Sequence, residues 1–351
     1  MILQTSTDRL GRYNPNLYAP RPQLEARFRA DIARRFVTLI GPERIGKSWL
    51  LHHMFADPAI AAAKHGVVNL ALSRSDLDAS TDALFKEIGR RMVVSVNGDP
   101  SWLKDAWASS DLPRVKLSNL LGDFILPSIS GKLLLALDWA DDLVRHARGS
   151  ELVGLLRTWS TSAVGPRPRG AWGNLRVILV LQSDSATPND PYLFHYLNVT
   201  AQIRVGEMNR DELAELASRY GTPWSAAELA PLTKLIGGHP ELFRFALMAH
   251  GQGLSMEEIL DERQIAQGDG AFGMHLRWLL ARLKESPALH RAVEALARRE
   301  APDSVARGEA APDDDAIVAL ERIGLVERKG NDVQFRYPLY RIFFSLRLGQ
   351  R

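Results

Sequence analysis

The stretch FVTLIGPERIGKSWLL (Phe36–Leu51) decides how the rest of the chain reads. Phe36 to Ile40 are apolar and partly β-branched, the composition of a buried strand. Directly after them, Gly41 to Ser48 fit the pattern G-x-x-x-x-G-K-[ST]. A helical segment, WLLHHMF, follows. Glycines at 41 and 46 let the backbone curl so that its N–H groups point inward at phosphate oxygens. The following helix aims its positive end at the same place. Lys47 is expected to reach the β- and γ-phosphates and Ser48 to hold Mg²⁺. The candidate nucleotide contacts are Gly41, Pro42, Glu43, Arg44, Ile45, Gly46, Lys47, Ser48 and Trp49. A chance match of the four fixed positions in a chain this long has a probability on the order of one per cent.

Further along lie VVNLAL (Val67–Leu72), LLLAL (Leu133–Leu137), LRVILVL (Leu175–Leu181) and AQIRV (Ala201–Val205), each separated from the next by helical sequence. Strands that alternate with helices, with little polar alternation inside the strands, indicate an α/β fold: a parallel sheet covered by helices on both faces. Asp138 closes the third run, in LLLALDWADDL (Leu133–Leu143), 91 residues after Lys47. An acid there completes the Mg²⁺ shell with Ser48. Lys47 and Asp138 are thus the candidate catalytic pair, in the arrangement of P-loop ATPases with an inserted central strand.

After Val205 the pattern is helical. Asn209 with Glu212, Ser225 with Glu228 and Ser255 with Glu258 read as capping boxes. Glycines near 251–273 suggest a hinge. In the last 80 or so residues, Ser286 and Pro287 open a helix. Asp313 to Asp315 open another that ends at Gly324. A hairpin turns at Gly330 and Asn331. Helices with a hairpin predict a winged helix-turn-helix. The division expected is a P-loop core over 1–206, an all-α lid over 207–268 and a winged helix over 269–351.

Composition fits a soluble globular protein: 351 residues, 46% hydrophobic, 24% charged, net charge +3. The absence of cysteine removes disulfides and Cys-based metal sites. No signal peptide opens the chain, and no apolar run approaches the roughly 18 residues of a membrane helix. A cytoplasmic protein without membrane contact is expected.

GPERIGKSWLL, LLLALDWADDL, LRVILVLQSDS and GGHPELFRFAL resemble the bacterial AAA-like ATPase domain of the STAND class, signal-transduction P-loop NTPases related to AAA+ proteins. YNPNLYAPRPQLEARF matches that family's leading segment, and LERIGLVERKGNDVQFRYPLYRIFF its terminal winged helix. The resemblance implies ATP or ADP with Mg²⁺ as ligand. It also implies a lid contact to the nucleotide through G-x-P, here Gly238, His239 and Pro240. A plain helix–helix turn is the alternative for those three residues. GTP stays open, since nothing reads a guanine.

The departures bear on catalysis. The family usually has Asp-Glu-x-Asp after the third strand, and this chain has Asp138, Trp139, Ala140, Asp141. Loss of a positioned base costs about 10²- to 10⁴-fold in rate. Asp141 or Asp142 could substitute only from about a helical turn further on. No Arg or Lys lies in Pro188 to Thr200 to serve as an arginine finger, and Gln182 or Ser183 would sense the γ-phosphate without an arginine nearby. The expected function is a molecular switch that binds nucleotide, hydrolyses it slowly or not at all, and signals to a separate protein partner. Self-association on activation fits this, with Arg167 and Arg169 as runner-up contacts to a neighbouring subunit, and so does a prokaryotic defence or conflict system. The alternative is a DNA-binding regulator that uses Arg298, Arg299, Arg328 and Lys329. Nucleic acid is disfavoured as partner, because Asp313 to Asp315 and Glu321 would repel its backbone. His52 and His53 are adjacent on a helix, point apart, and read as structural.

Overall fold

The structure, a computed structural model, describes residues 13–34, 36–58, 60, 64–71, 78–138, 140–141, 147–164, 170–182, 196–299, 313–330 and 332–348. Each apolar run foreseen as a strand forms one. Strands β1 (Val37–Ile40), β2 (Lys64–Ala71), β3 (Lys132–Asp138), β4 (Leu175–Leu181) and β5 (Ala201–Arg204) make a parallel sheet in the order β2-β3-β4-β1-β5. The central register pairs Val37 with Ile178 and Ile40 with Leu181. Strand β4 therefore lies between the strand that leads into Gly41 and the strand that ends at Asp138, which is the inserted arrangement.

The strands are largely apolar because both faces are covered. Leu133, Leu135 and Leu137 join Leu175, Val177 and Leu179 in one core; Leu134 and Ala136 join Val37, Leu39, Ile178 and Val180 in the other. Helices α1 (Pro22–Ile32) and α2 (Lys47–Ala56) supply the second core, through residues such as Phe28, Leu50 and Met54. Helices α3 (Thr81–Ser95), α4 (Ser101–Trp107), α5 (Pro113–Asn119) and α6 (Ala147–Val164) supply the first. With both faces packed, the accessible edge of such a sheet is the one at its strand ends, where ligands of parallel sheets bind.

The opposite end of the sheet is tied by Arg176. This residue sits on β4 where both neighbouring positions are apolar, and its guanidinium is buried. It donates to the carbonyls of Ile32, Ala33, Gly173 and Leu175 at 2.7–3.1 Å. Two of these carbonyls end α1, where helical carbonyls have no partner of their own and a cation is favoured.

The C-terminal half is helical apart from a hairpin. It contains α7 (Arg210–Arg219), α8 (Ala226–Ile236), α9 (Pro240–Gly251), α10 (Met256–Ile259), α11 (Glu262–Gln267), α12 (Gly273–Lys284), α13 (Pro287–Arg299) and α14 (Asp314–Arg322). The antiparallel strands β6 (Val326–Lys329) and β7 (Asp332–Phe335) and the last helix α15 (Pro338–Leu348) complete it. All three capping boxes form, each with reciprocal side-chain and backbone bonds. Asp313 caps α14, and its carboxylate accepts from the Asp315 N–H. One apolar core runs from Met208 and Leu213 through Phe243, Leu276 and Val293 to Phe343 and Leu348. Helix α15 packs on both α11 and α13.

Arg176→Met should keep the stem but orphan the carbonyls of Ile32 and Ala33. The expected loss is about 2–4 kcal/mol, read as a fall in the denaturant midpoint at unchanged slope.

Candidate nucleotide site

Residues Gly41 to Gly46 leave the end of β1 and turn sharply into α2. Gly46 has φ = 94°, the left-handed conformation its position demands. Gly41 is required for a different reason from backbone freedom: a β-carbon there would lie 2.2 Å from the carbonyl oxygen of Val205. Arg44 also adopts φ = 64°, uncommon for a residue with a side chain. Ile45 turns its side chain into the core beneath the loop, fully buried with Leu50 and Val205. No side chain caps the first turn of α2, so the N–H groups that open this helix face the concave side of the loop uncapped.

Lys47 is buried under this loop and donates to the carbonyls of Gly41 and Pro42, both at 2.6 Å. Burial pushes its ammonium down to about 8, against the opposing pull of Asp141, Asp138 and Glu43. Asp138 ends β3 almost fully buried. Asp141 is buried too, and both of its carboxylate oxygens accept from the N–H of Gln182 at 2.9–3.0 Å, just beyond the end of β4. A buried lysine near acids that follow two strands of the sheet, β3 and β1, beside an uncapped helix start, is suited to a phosphorylated ligand. Ser48 and Asp138 offer hard oxygen donors of the kind Mg²⁺ takes alongside phosphate oxygens. Trp139, Asp142, Ser183 and Asp184 lie outside the described residues, as do Arg167, Arg169 and Asn331.

A family model for the AAA-like domain matches residues 8–346. The chain belongs to the AAA-like domain family. Two solved structures agree on the fold. A Walker-type ATPase of Pyrococcus abyssi is 15% identical, with 96% of this chain and 98% of that one covered, at a TM-score of 0.62. The ORC2 protein of Aeropyrum pernix, solved in ADPNP–ADP complexes, is 15% identical over 95% and 96%, at 0.55. A STAND protein of Pyrococcus horikoshii with a tetratricopeptide repeat sensor is 16% identical over 93% of this chain and 42% of that one, at 0.44. No curated protein matches significantly. This AAA-like chain is thus a P-loop NTPase by family and by fold.

Its C-terminal half sits directly on the loop. His239 caps α9, its Nδ1 accepting from the Leu242 N–H, and Pro240 takes the first helical position. A β-carbon at Gly46 would lie 3.8 Å from Pro240 Cγ, so G-x-P is both a helix–helix turn and a cover over the loop. The Glu43 N–H donates to the Arg322 carbonyl at the end of α14, and Glu43 Oε2 lies 3.5 Å from Arg282 on α12. Burial raises the Glu43 carboxyl above its ordinary value. Arg44 pairs with Glu241, at 3.1 and 3.2 Å, and its guanidinium lies 3.8 Å over the Trp278 ring.

The leading segment packs on α2. Tyr18 stacks on His53 at 4.0 Å, and Tyr13 stacks on His52 at 5.5 Å and meets Trp49 edge-on at 5.4 Å. Each histidine thus has its own aromatic partner. The N–H and side chain of Arg21 reach Glu25 and the Glu207 carbonyl, and the Glu207 carboxylate in turn accepts from Gly238 N–H and Tyr337 O–H. Arg21 and Glu241 fall inside the stretches YNPNLYAPRPQLEARF and GGHPELFRFAL without being singled out there, and Glu207 and Trp278 lie in no motif. Charged and aromatic residues of these types are ordinary on amphipathic helices and carry no signal of their own.

His239 and His275 are both held below the ordinary value near 6.5, chiefly by burial. The rings are neutral in the fold and recover ordinary basicity on unfolding. Above about pH 6.5 neither state binds these protons. Below it the unfolded chain takes protons that the fold refuses, so stability should fall as pH drops from 6.5 to 5.5. Denaturant midpoints across that window should decline, and the decline should flatten in the His239→Asn, His275→Gln double variant.

Proposed function

We propose that this protein is a nucleotide-binding switch of the STAND type. ATP or ADP with Mg²⁺ is held between a P-loop core (1–206) and a helical lid (207–268), and the lid carries a winged helix (269–351) that presents the bound state to a separate protein. The observation that carries this reading is the seating of Pro240, from the lid, over Gly46 of the phosphate loop. A ligand in the loop would lie close to that residue, and this proximity is what would link occupancy to lid position in this reading. Lys47 and the opening N–H groups of α2 hold the phosphates, Ser48 and Asp138 the metal ion, and the rings of Tyr13 and Trp49 border the same helix start. The prokaryotic defence setting belongs to this reading through the STAND resemblance.

Slow hydrolysis is part of the proposal. No glutamate follows Asp138. The Asp141 carboxylate, which could have replaced it, is engaged by the Gln182 N–H on both oxygens. A protein partner is favoured over DNA because cations of the hairpin region are matched internally. Arg328 pairs with Asp314 and Glu321 at 2.9 and 3.4 Å, and Arg299 pairs with Asp332 at 3.0 Å.

At about 100 times its dissociation constant, ATP·Mg should add about 2.7 kcal/mol of stability, a rise of roughly 3–6 °C in melting temperature. Lys47→Ala should abolish the rise, and turnover should stay well below about 1 s⁻¹; no thermal shift in the parent protein, or rapid turnover, would refute the switch. The depressed Lys47 pKa gives a second check. ADP affinity should be flat below pH 8 and fall toward about tenfold per pH unit above it, with calorimetric proton uptake on binding at pH 8.5.

A further inference from the structure

The four variable positions of the phosphate loop are not alike. Ile45 is a core residue, and Pro42 packs toward the turn at Gly324. Arg44 enters a buried polar chain that crosses three helices. Its guanidinium meets both oxygens of Glu241 on α9, at 3.1 and 3.2 Å. Glu241 lies 3.3 Å from His275 Nδ1 on α12, and His275 Nε2 lies 2.9 Å from the Tyr340 hydroxyl on α15. An ionised carboxylate only accepts, so Nδ1 carries the proton and Nε2 accepts from Tyr340. Glu241, His275 and Tyr340 are each at most 6% exposed. Trp278 stacks on the other side of the guanidinium, with 3.8 Å from Arg44 Cζ to the ring centre.

The backbone of Arg44 gives this contact a consequence for the loop. A non-glycine residue at φ = 64° is held in a sparsely populated conformation. Conformations of that kind persist where surrounding contacts over-determine them. The Arg44 side chain meets Glu241 and Trp278, both in the C-terminal half. If that half moved away, Arg44 would lose its counter-charge and its stacking surface together, and the curl of the phosphate loop would lose its support.

We infer that Arg44 is a positioning residue: through Glu241 and Trp278 it makes the shape of the phosphate loop depend on the docking of the C-terminal half. Arg44 does not bind phosphate in this scheme. It sets how long nucleotide stays, and His275 and Tyr340 extend the connection to the last helix. This rests on the nucleotide-binding reading above.

The test is stopped-flow release of mant-ADP·Mg, followed together with tryptophan emission. Trp278 is isolated as the difference from Trp278→Phe. In the parent protein, ADP should change the Trp278 signal. Glu241→Gln and Arg44→Gly should each release mant-ADP at least about fivefold faster, the lower end of ordinary coupling between sites, and should lose the Trp278 response. Arg44→Lys, which keeps the charge but not the planar fork, should fall with them. Combining Glu241→Gln with Arg44→Gly should add little, since both break one contact. Arg44→Gly is the safeguard against misfolding, because glycine adopts φ = 64° without cost. Parent-like release from both variants, with the Trp278 response intact, overturns the inference and leaves nucleotide binding standing. Failure of the parent to bind mant-ADP at all removes the binding reading and this inference with it.

Discussion

A lysine ammonium buried at the end of a parallel sheet is the constraint on which the rest of this structure depends. Burial weakens its hold on the proton, and the charges of Asp141, Asp138 and Glu43 oppose that. The position of those acids around one lysine is consistent with the order of the sheet. Asp138 comes from the end of β3, Asp141 is anchored to the residue after β4, and Glu43 follows β1. These strands lie side by side as β3-β4-β1. The helices on either face follow from the apolar strands, since a sheet greasy on both sides must be covered on both.

Much of this was legible in the sequence, because the signals are local. The five apolar runs, the G-x-x-x-x-G-K-S loop and the three capping boxes each depend on residues within about ten positions of one another. Gly46 was read for the right reason, its positive φ. Gly41 was read as a flexible turn residue, whereas its lack of a side chain is needed for close packing against Val205, 164 positions away. That distance in sequence is why no motif reveals it.

The closure over the loop was hidden for the same reason. Arg44 and Glu241 are 197 residues apart, Arg21 and Glu207 are 186 apart, and Glu207 and Tyr337 are 130 apart. Each is an ordinary charged or aromatic residue on an amphipathic element until the fold brings its partner. The loop pattern constrains four positions and leaves Pro42, Glu43, Arg44 and Ile45 open. Three of those free positions, Pro42, Glu43 and Arg44, touch the C-terminal half, and Ile45 fills the core beneath the loop. The G-x-P turn lies between these extremes: its proline announced a helix start, and only the fold showed what the start rests on.

The unbroken core from Met208 to Leu348 has a mechanical meaning. Close-packed interiors transmit displacement instead of absorbing it. The short link that joins this body to the sheet is fastened where the Met208 N–H bonds the Gly238 carbonyl. Were the body to tilt about that link, the region of Pro240 would be the short arm and the hairpin of β6 and β7 the far end. A tilt of a few degrees would then sweep a wider arc at the tip than at the loop.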